Sequence, residues 1–142
     1  MADPVSSVTL DKAIEVALNG LSARQRAISN NLANIDTPEF KASDVRFEEQ
    51  LRSAMARDRR EPSVRLISHH PRHFGEETDD IEEIRPTVLR MDNTTMRVDG
   101  NNVDIDREMV QLAETAITYN ALVQLTSSRL SLARYLVNEG RR

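Results

Sequence analysis

Three histidines stand within five positions, His69, His70 and His73, and Glu76 and Glu77 follow them. Imidazole nitrogens and carboxylate oxygens at that density are the donor set of a zinc or other first-row metal site. Pro71 interrupts the run and spoils the regular helical presentation that would aim two imidazoles at one ion, so a polar loop meeting a neighbouring molecule is the simpler reading. Asp79 and Glu82 could divide acid and base roles only if apolar surroundings separated their pKa values. The run Glu76-Glu77-Thr78-Asp79-Asp80-Ile81-Glu82-Glu83 supplies no such surroundings. Cysteine is absent, which removes thiol nucleophiles, thiolate zinc sites and disulfides, and no glycine-rich loop stands ready to cradle a phosphate. The sequence assigns no catalytic, cofactor-binding or metal-binding residue. The expectation is a protein without enzymatic activity that works through its surfaces.

Amides are the more informative chemistry. Asn30, Asn31 and Asn34 fall within five positions at the end of an amphipathic stretch, each roughly 0.5 kcal/mol worse than alanine inside a helix. Pro38 forbids continuation and biases Thr37 to an extended conformation, so the chain should leave the helix at about Asp36. One asparagine at a helix end ordinarily bonds nearby backbone. Three on a helix that also carries an apolar seam suggest buried amides that fix register. Further on, Phe47 and Leu51 are four apart and share one face of a helical turn, with ordinary packing as the plain explanation.

The elements that must hold these groups are mainly α. From Thr9 to about Ile35, the residues Ile14, Leu18, Leu21, Ile28, Leu32 and Ile35 step by threes and fours, with Gln25 the one interruption, the pattern of a coiled-coil seam. A second long helix is expected from about Asp104 to Asn138 on Ile105, Met109, Leu112, Ala116, Tyr119, Val123, Leu130, Ala133 and Val137. Asp104 or Asp106 can cap its start, and Gly140 closes its end. Beside the first row runs another, Val110, Ala113, Ile117, Ala121, Leu125, Leu132 and Leu136. One partner helix cannot cover both, so this helix should touch more than one neighbour. Between the helices, arginine-rich residues 52–73 and the acidic run read as a partly disordered segment. Pro86–Met91 and Thr95–Val98 around Asp92-Asn93-Thr94 read as a short β-hairpin, and Asp99–Asn102 as a turn. The organisation is therefore a helix in residues 1–36, a central extended or flexible segment in 37–102, and a helix in 103–142, the two helices forming a coiled-coil-like pair.

Bulk numbers agree with an assembly protein. In 142 residues only 39% are apolar and 4% aromatic, too little for a large core, and the net charge of -4 argues against nucleic acid, whose phosphates need clustered Lys and Arg. No stretch of 18 apolar residues suggests direct membrane insertion, and Met1–Val8 lacks the marks of a cleaved secretory signal. An isolated two-helix hairpin with one seam is marginal against the entropy of ordering it, so lateral packing between subunits is expected to complete the fold.

The run Ser29-Asn30-Asn31-Leu32-Ala33-Asn34-Ile35-Asp36-Thr37-Pro38-Glu39-Phe40-Lys41 resembles the N-terminal signature of the bacterial flagellar axial proteins, the rod and hook family. The short length, Phe40–Phe47 and Gly100–Met109 look most like its proximal-rod members. The resemblance implies a structural subunit of the basal-body rod, spanning the periplasm and exported without signal cleavage by the flagellar type III apparatus. It implies as partners other copies of the chain, other rod proteins, the rod-to-export-gate adaptor and the base formed by the MS ring and export gate. It makes Asn30, Asn31, Leu32, Asn34, Thr37, Pro38 and Phe40 an assembly signature, with Asn31 and Asn34 setting register across subunits. Leu18, Leu21, Ile28, Ile105, Met109, Leu112, Leu125, Leu132 and Leu136 become helix-packing residues. Phe47 and Leu51 are similar to the Phe-x-x-x-apolar gate signal of early export substrates. Where the family usually has glycine after the proline this chain has Glu39, so the turn is expected to be type I or open, because glutamate disfavours the positive φ of a type II turn. The alternative is a soluble helical chaperone or regulatory binding module of the export system.

Overall fold

The computed structural model describes residues 4–58, 81, 84–92 and 95–139. Two long helices frame it: α1, Pro4–Ala33, and α3, Ile105–Glu139. Between them come β1, Ser43–Arg46, then α2, Glu48–Asp58, and β2, Thr87–Arg90. Pro4 suits the first turn of α1, where its missing N–H costs nothing. Asp104 caps α3: its Oδ1 accepts the amides of Asp106 and Arg107 at 3.0 and 3.3 Å.

The long helices run antiparallel. Arg129 lies 3.2 Å from Asp11 at one end, an ion pair not aligned as a hydrogen bond, and Tyr119 and Leu122 pack against the cluster of Leu21, Val45 and Phe47 in the middle. This cluster is the heart of a small core. The Phe47 ring, 3% exposed, lies on α1 at Gly20, where an added Cβ would sit 2.6 Å from three ring carbons. Glycine is therefore needed there for close approach. Arg24 closes the seat with its guanidinium carbon 5.2 Å from the ring centroid, while its nitrogens reach the Val45 carbonyl at 2.7 Å and Glu48 at 2.6 Å. Burial opposes ionisation of Glu48, yet the Arg24 bond and charge, with backbone amides, hold its carboxyl below the ordinary value.

Three expectations change here. First, only the middle of the expected row on α3, Leu112, Ala116 and Tyr119, is partly covered, and its ends are not. Ile105 and Met109 are each 52% exposed, and Val123, Leu130 and Val137 are exposed too. The covered face carries Glu108, Gln111, Leu112, Thr115, Tyr119 and Leu122. Periodicity could not select the side because α3 has apolar residues on several sides; the Phe47 seat and the polar fit at Glu108 select it. On α1 the seam holds, with Ile14, Leu21 and Ile28 buried and Leu18 half-buried.

Second, the two-stranded antiparallel sheet is present, but β2 pairs with β1, in the register Ser43↔Arg90, Asp44↔Leu89, Val45↔Val88, Arg46↔Thr87. Thr95–Val98 is not a strand. The amides of Met96 and Arg97 turn instead to the Asn101 carbonyl at 3.2 and 3.1 Å. Third, the turn at Phe47–Leu51 is the start of a helix of 11 residues, α2. Phe47 is buried, Leu51 is half-buried, and Ala54 is 4% exposed, so Phe47 is a core residue and not an exposed group on a flexible segment. The histidine cluster and most of the acidic run lie outside the described residues.

Candidate functional site

The two asparagine-rich runs, distant in sequence, meet in one clasp. Asn31, 1% exposed, makes a reciprocal pair with the first residue of β1: its Nδ2 donates to the Ser43 carbonyl at 2.9 Å, and Ser43 N–H donates to its Oδ1 at 2.9 Å. A side-chain amide carries the same donor and acceptor as a peptide, so Asn31 acts as one more residue of the sheet and ties α1 to it. Asn101 is fully buried. Its Nδ2 points at three carbonyls just beyond the end of α1, those of Asn34 at 3.1 Å, Ile35 at 2.9 Å and Thr37 at 3.0 Å, while its Oδ1 accepts Val103 N–H at 2.7 Å. Asn102 completes the set: its Oδ1 accepts Ala42 N–H at 2.7 Å, and its Nδ2 donates to the Met91 carbonyl at 2.7 Å. The entry to α3 thereby holds the exit of α1 and both strands at one end of the sheet.

The assembly-signature residues divide accordingly. Asn34 and Asn30 make local bonds, Asn34 Nδ2 donating to the Asn30 carbonyl and Oδ1, both at 2.8 Å, and Thr37 Oγ1 donates to Asn34 Oδ1 at 3.3 Å. Leu32 and Phe40 are half-buried, and Asn30, Thr37 and Pro38 are exposed. The sequence presents Asn101 and Asn102 as a turn within the Gly100–Met109 run that carries the resemblance, without assigning them partners; the repeated Asn-Asn pair, at 30–31 and again at 101–102, is the available signal.

The turn after Pro38 also differs from expectation. Glu39 has φ 61°, and Phe40 N–H bonds the Thr37 carbonyl at 3.3 Å, the pattern of a type II turn with proline second and a left-handed third residue. A left-handed non-glycine residue costs on the order of 1 kcal/mol. The surroundings offset it: Glu39 N–H donates to the Asp99 carbonyl at 2.9 Å, and Lys41 Nζ reaches the Gly100 carbonyl at 2.9 Å. Gly100 itself has φ +82° and backs onto Glu39. Glu39→Gly is expected to be more stable than Glu39→Ala by about 1 kcal/mol, the reverse of the order these residues show in a helix. Urea midpoints of the two variants check this, and equal midpoints would show that the turn stores no strain.

Glu108 lies under the clasp, 6% exposed, with Oε2 lacking a hydrogen-bond partner among the described residues. Burial raises its carboxyl above the ordinary value of 4.5; the Asn31 amide and Arg107 pull it down by less, and Asp44 and Asp104 add to the rise. A carboxyl whose pKa is higher in the folded chain is held best when protonated. Its contribution is fully present below the unfolded value and is lost as pH rises through the folded one. Glu108→Gln should remove that loss and be more stable than wild type at neutral pH. Urea midpoints from about pH 4 to 8 test it: the variant's advantage should grow with pH, and an advantage independent of pH would mean that Glu108 titrates alike in both states.

Among the described residues no group of His, Cys, Asp and Glu could hold a metal ion, and no helix is long and apolar enough to cross a membrane. Residues 14–41, the helix and turn that end in the clasp, match the family model described as flagella basal body rod protein. Over 128 residues the chain is 31% identical to the flagellar basal body rod protein FlgB of Bacillus subtilis, covering 90% of this chain and 92% of that one. The chain belongs to the FlgB-type flagellar basal-body rod proteins. The FlgB of Borreliella burgdorferi is 35% identical over 76% of this chain and 80% of its own, and that of Salmonella typhimurium 32% over 80% and 82%. The rod subunit is a structural component of the basal body, and nothing in these likenesses favours the export-chaperone alternative.

Proposed function

We propose that this rod subunit builds the proximal rod through its two terminal helices, with the clasp holding those helices at a fixed angle to the central segment. The observation that carries the reading is the uncovered apolar surface of α3. Leu125, Leu132 and Leu136 are 47, 59 and 61% exposed, and Ile105, Met109 and Val137 at least half exposed. A helix apolar on several sides is ordinarily buried by more than one neighbour. Those neighbours are other copies of the chain and other rod proteins, with the rod-to-export-gate adaptor and the MS-ring base below. The subunit works in the periplasmic span, without catalysis, after type III export with no signal cleaved. Phe47 and Leu51 serve as the gate signal in the unfolded chain during export and as packing residues once it has folded. The assembly signature acts through the clasp, Asn31 setting the angle of α1 within each subunit.

Leu125→Asp is expected to abolish rod assembly and motility while leaving export intact, because Leu125 is already half exposed in the subunit and the charge becomes costly only when a neighbour covers it. Export is scored as protein outside the cytoplasm, and rods by examining basal bodies. Wild-type motility would remove Leu125 from any subunit interface.

A further inference from the structure

A groove of about 890 Å³ opens between the three helices. Leu21 and Phe47 form its floor, Leu51 and Met55 of α2 one wall, and Thr115 and Thr118 of α3 the other. The threonine wall is less polar than its residue types suggest. Thr115 Oγ1 donates to the Gln111 carbonyl at 2.7 Å and Thr118 Oγ1 to the Glu114 carbonyl at 2.9 Å, so both hydroxyl protons are spent on their own helix. At the mouth, Arg52 of α2 is exposed.

We propose that this groove receives the C-terminal half of α3 from the next copy of the chain, seated through Leu125, Leu132 and Leu136. The inference rests on the rod-subunit reading and names the contact. Three observations select this occupant. Leu125, Leu132 and Leu136 are spaced by seven and four, the anchor spacing with which a helix enters an apolar groove. Charge is complementary at the groove mouth, where Arg52 is opposite in sign to Glu139, one turn beyond Leu136 on the same face; of the carboxylates that also line the groove, Glu48 is paired with Arg24 and Glu114 belongs to the α3 wall.

Area is the third. The exposed residues of this half, Leu125, Leu130, Leu132, Tyr135, Leu136 and Val137, range from 47 to 68% exposed. Leu125, Leu132, Leu136 and the adjacent Tyr135 share one side and present on the order of 400 Å² of apolar surface, about half of the roughly 800 Å² that one side of a standard interface buries, while Leu130 and Val137 lie more than about 100° around the helix.

Groove and row do not coincide. Residues 111–122 of α3 line the groove, whereas 125–136 carry the row, roughly 20 Å further along the axis at 1.5 Å per residue. A groove at one level and a row at another let each copy seat its row in the next and offer its own groove onward, a head-to-tail contact that continues from copy to copy, whereas a two-fold pair exchanging both rows would stop at the dimer. That is the contact a tubular assembly requires.

The chain has no cysteine, so engineered pairs report cleanly. Met55→Cys combined with Leu132→Cys in the full chain, followed by mild oxidation of purified basal bodies, should give a ladder of disulfide-linked multimers extending past the dimer, with no ladder from either single variant. Basal bodies that contain the double variant but yield no ladder, or only a dimer, overturn the groove contact and leave the rod reading standing. Absence of the wild-type chain from basal bodies removes both. Should the cysteine pair fail to incorporate, charge reversal decides: Arg52→Glu and Glu139→Arg are each expected to cut the fraction of swimming cells severalfold, and their combination to restore it. Failure of the combination to restore swimming overturns the contact.

Discussion

Asn101→Ala should cost the isolated subunit about 3 kcal/mol of stability. The side chain is fully buried and serves four partners, three carbonyls through Nδ2 and the Val103 amide through Oδ1. Alanine strands Val103 N–H where Val103 is only 5% exposed, and an unsatisfied buried group costs about 1 to 3 kcal/mol. It also removes the donor shared by the carbonyls at the end of α1, although each of those keeps a second partner in Thr37 N–H, Arg97 or Phe40 N–H. Asn101→Asp is expected to be at least as damaging, because it keeps the acceptor but turns a charged oxygen toward three carbonyl oxygens. Asn30→Ala, at an exposed site, should change stability by less than about 0.5 kcal/mol. Urea midpoints order the three variants; equal effects at Asn101 and Asn30 would mean that the clasp does not hold the fold.

Phe47→Ala should be comparably severe, costing about 3 to 5 kcal/mol as large-to-small changes at buried aromatics do. The ring seats on Gly20 under Arg24, and its loss detaches α2 from α1. Gly20→Ala probes the same seat from the other side. Its added Cβ would stand 2.6 Å from the ring, so a substitution that elsewhere favours a helix by about 1 kcal/mol should here destabilise. Leu51→Ala, at a half-buried site, is expected to cost much less. That contrast separates two roles of the pair: secretion lost in Leu51→Ala with the fold intact assigns Leu51 to export, whereas parallel losses of stability and secretion in Phe47→Ala assign Phe47 to packing. A Phe47→Ala chain as stable as wild type would show that the cluster with Leu21 and Val45 is no core.

Both long helices were legible in the sequence, because apolar spacing and end signals are local properties. Asp104 capped the second as its side chain suggested, and α1 ended beside its asparagines. The surplus of apolar residues on α3 was legible too, as a count that one partner could not absorb. The partner of β2 was not: Thr87–Arg90 had the composition of a strand, but whether it met Thr95–Val98 or Ser43–Arg46 depended on Asn102 bridging Ala42 to Met91, a contact across 60 positions.

Glu39 is the sharpest case. Local preference disallowed its positive φ, and tertiary hydrogen bonds to the 99–100 loop impose it. The face that α3 turns to α1 was likewise beyond periodicity, since a helix with apolar residues on several sides has no single preferred side until a fixed obstacle chooses one. Here the obstacles are the Phe47 ring and the buried amide of Asn31 facing Glu108. The sequence by itself therefore determined the two long helices, where they stop, and that one of them carries more apolar surface than the chain can cover, while the full length of α2 was not legible in it. Only the tertiary structure decided how they are joined, because a side-chain amide shows its acceptor and donor in the sequence but finds its partners through space.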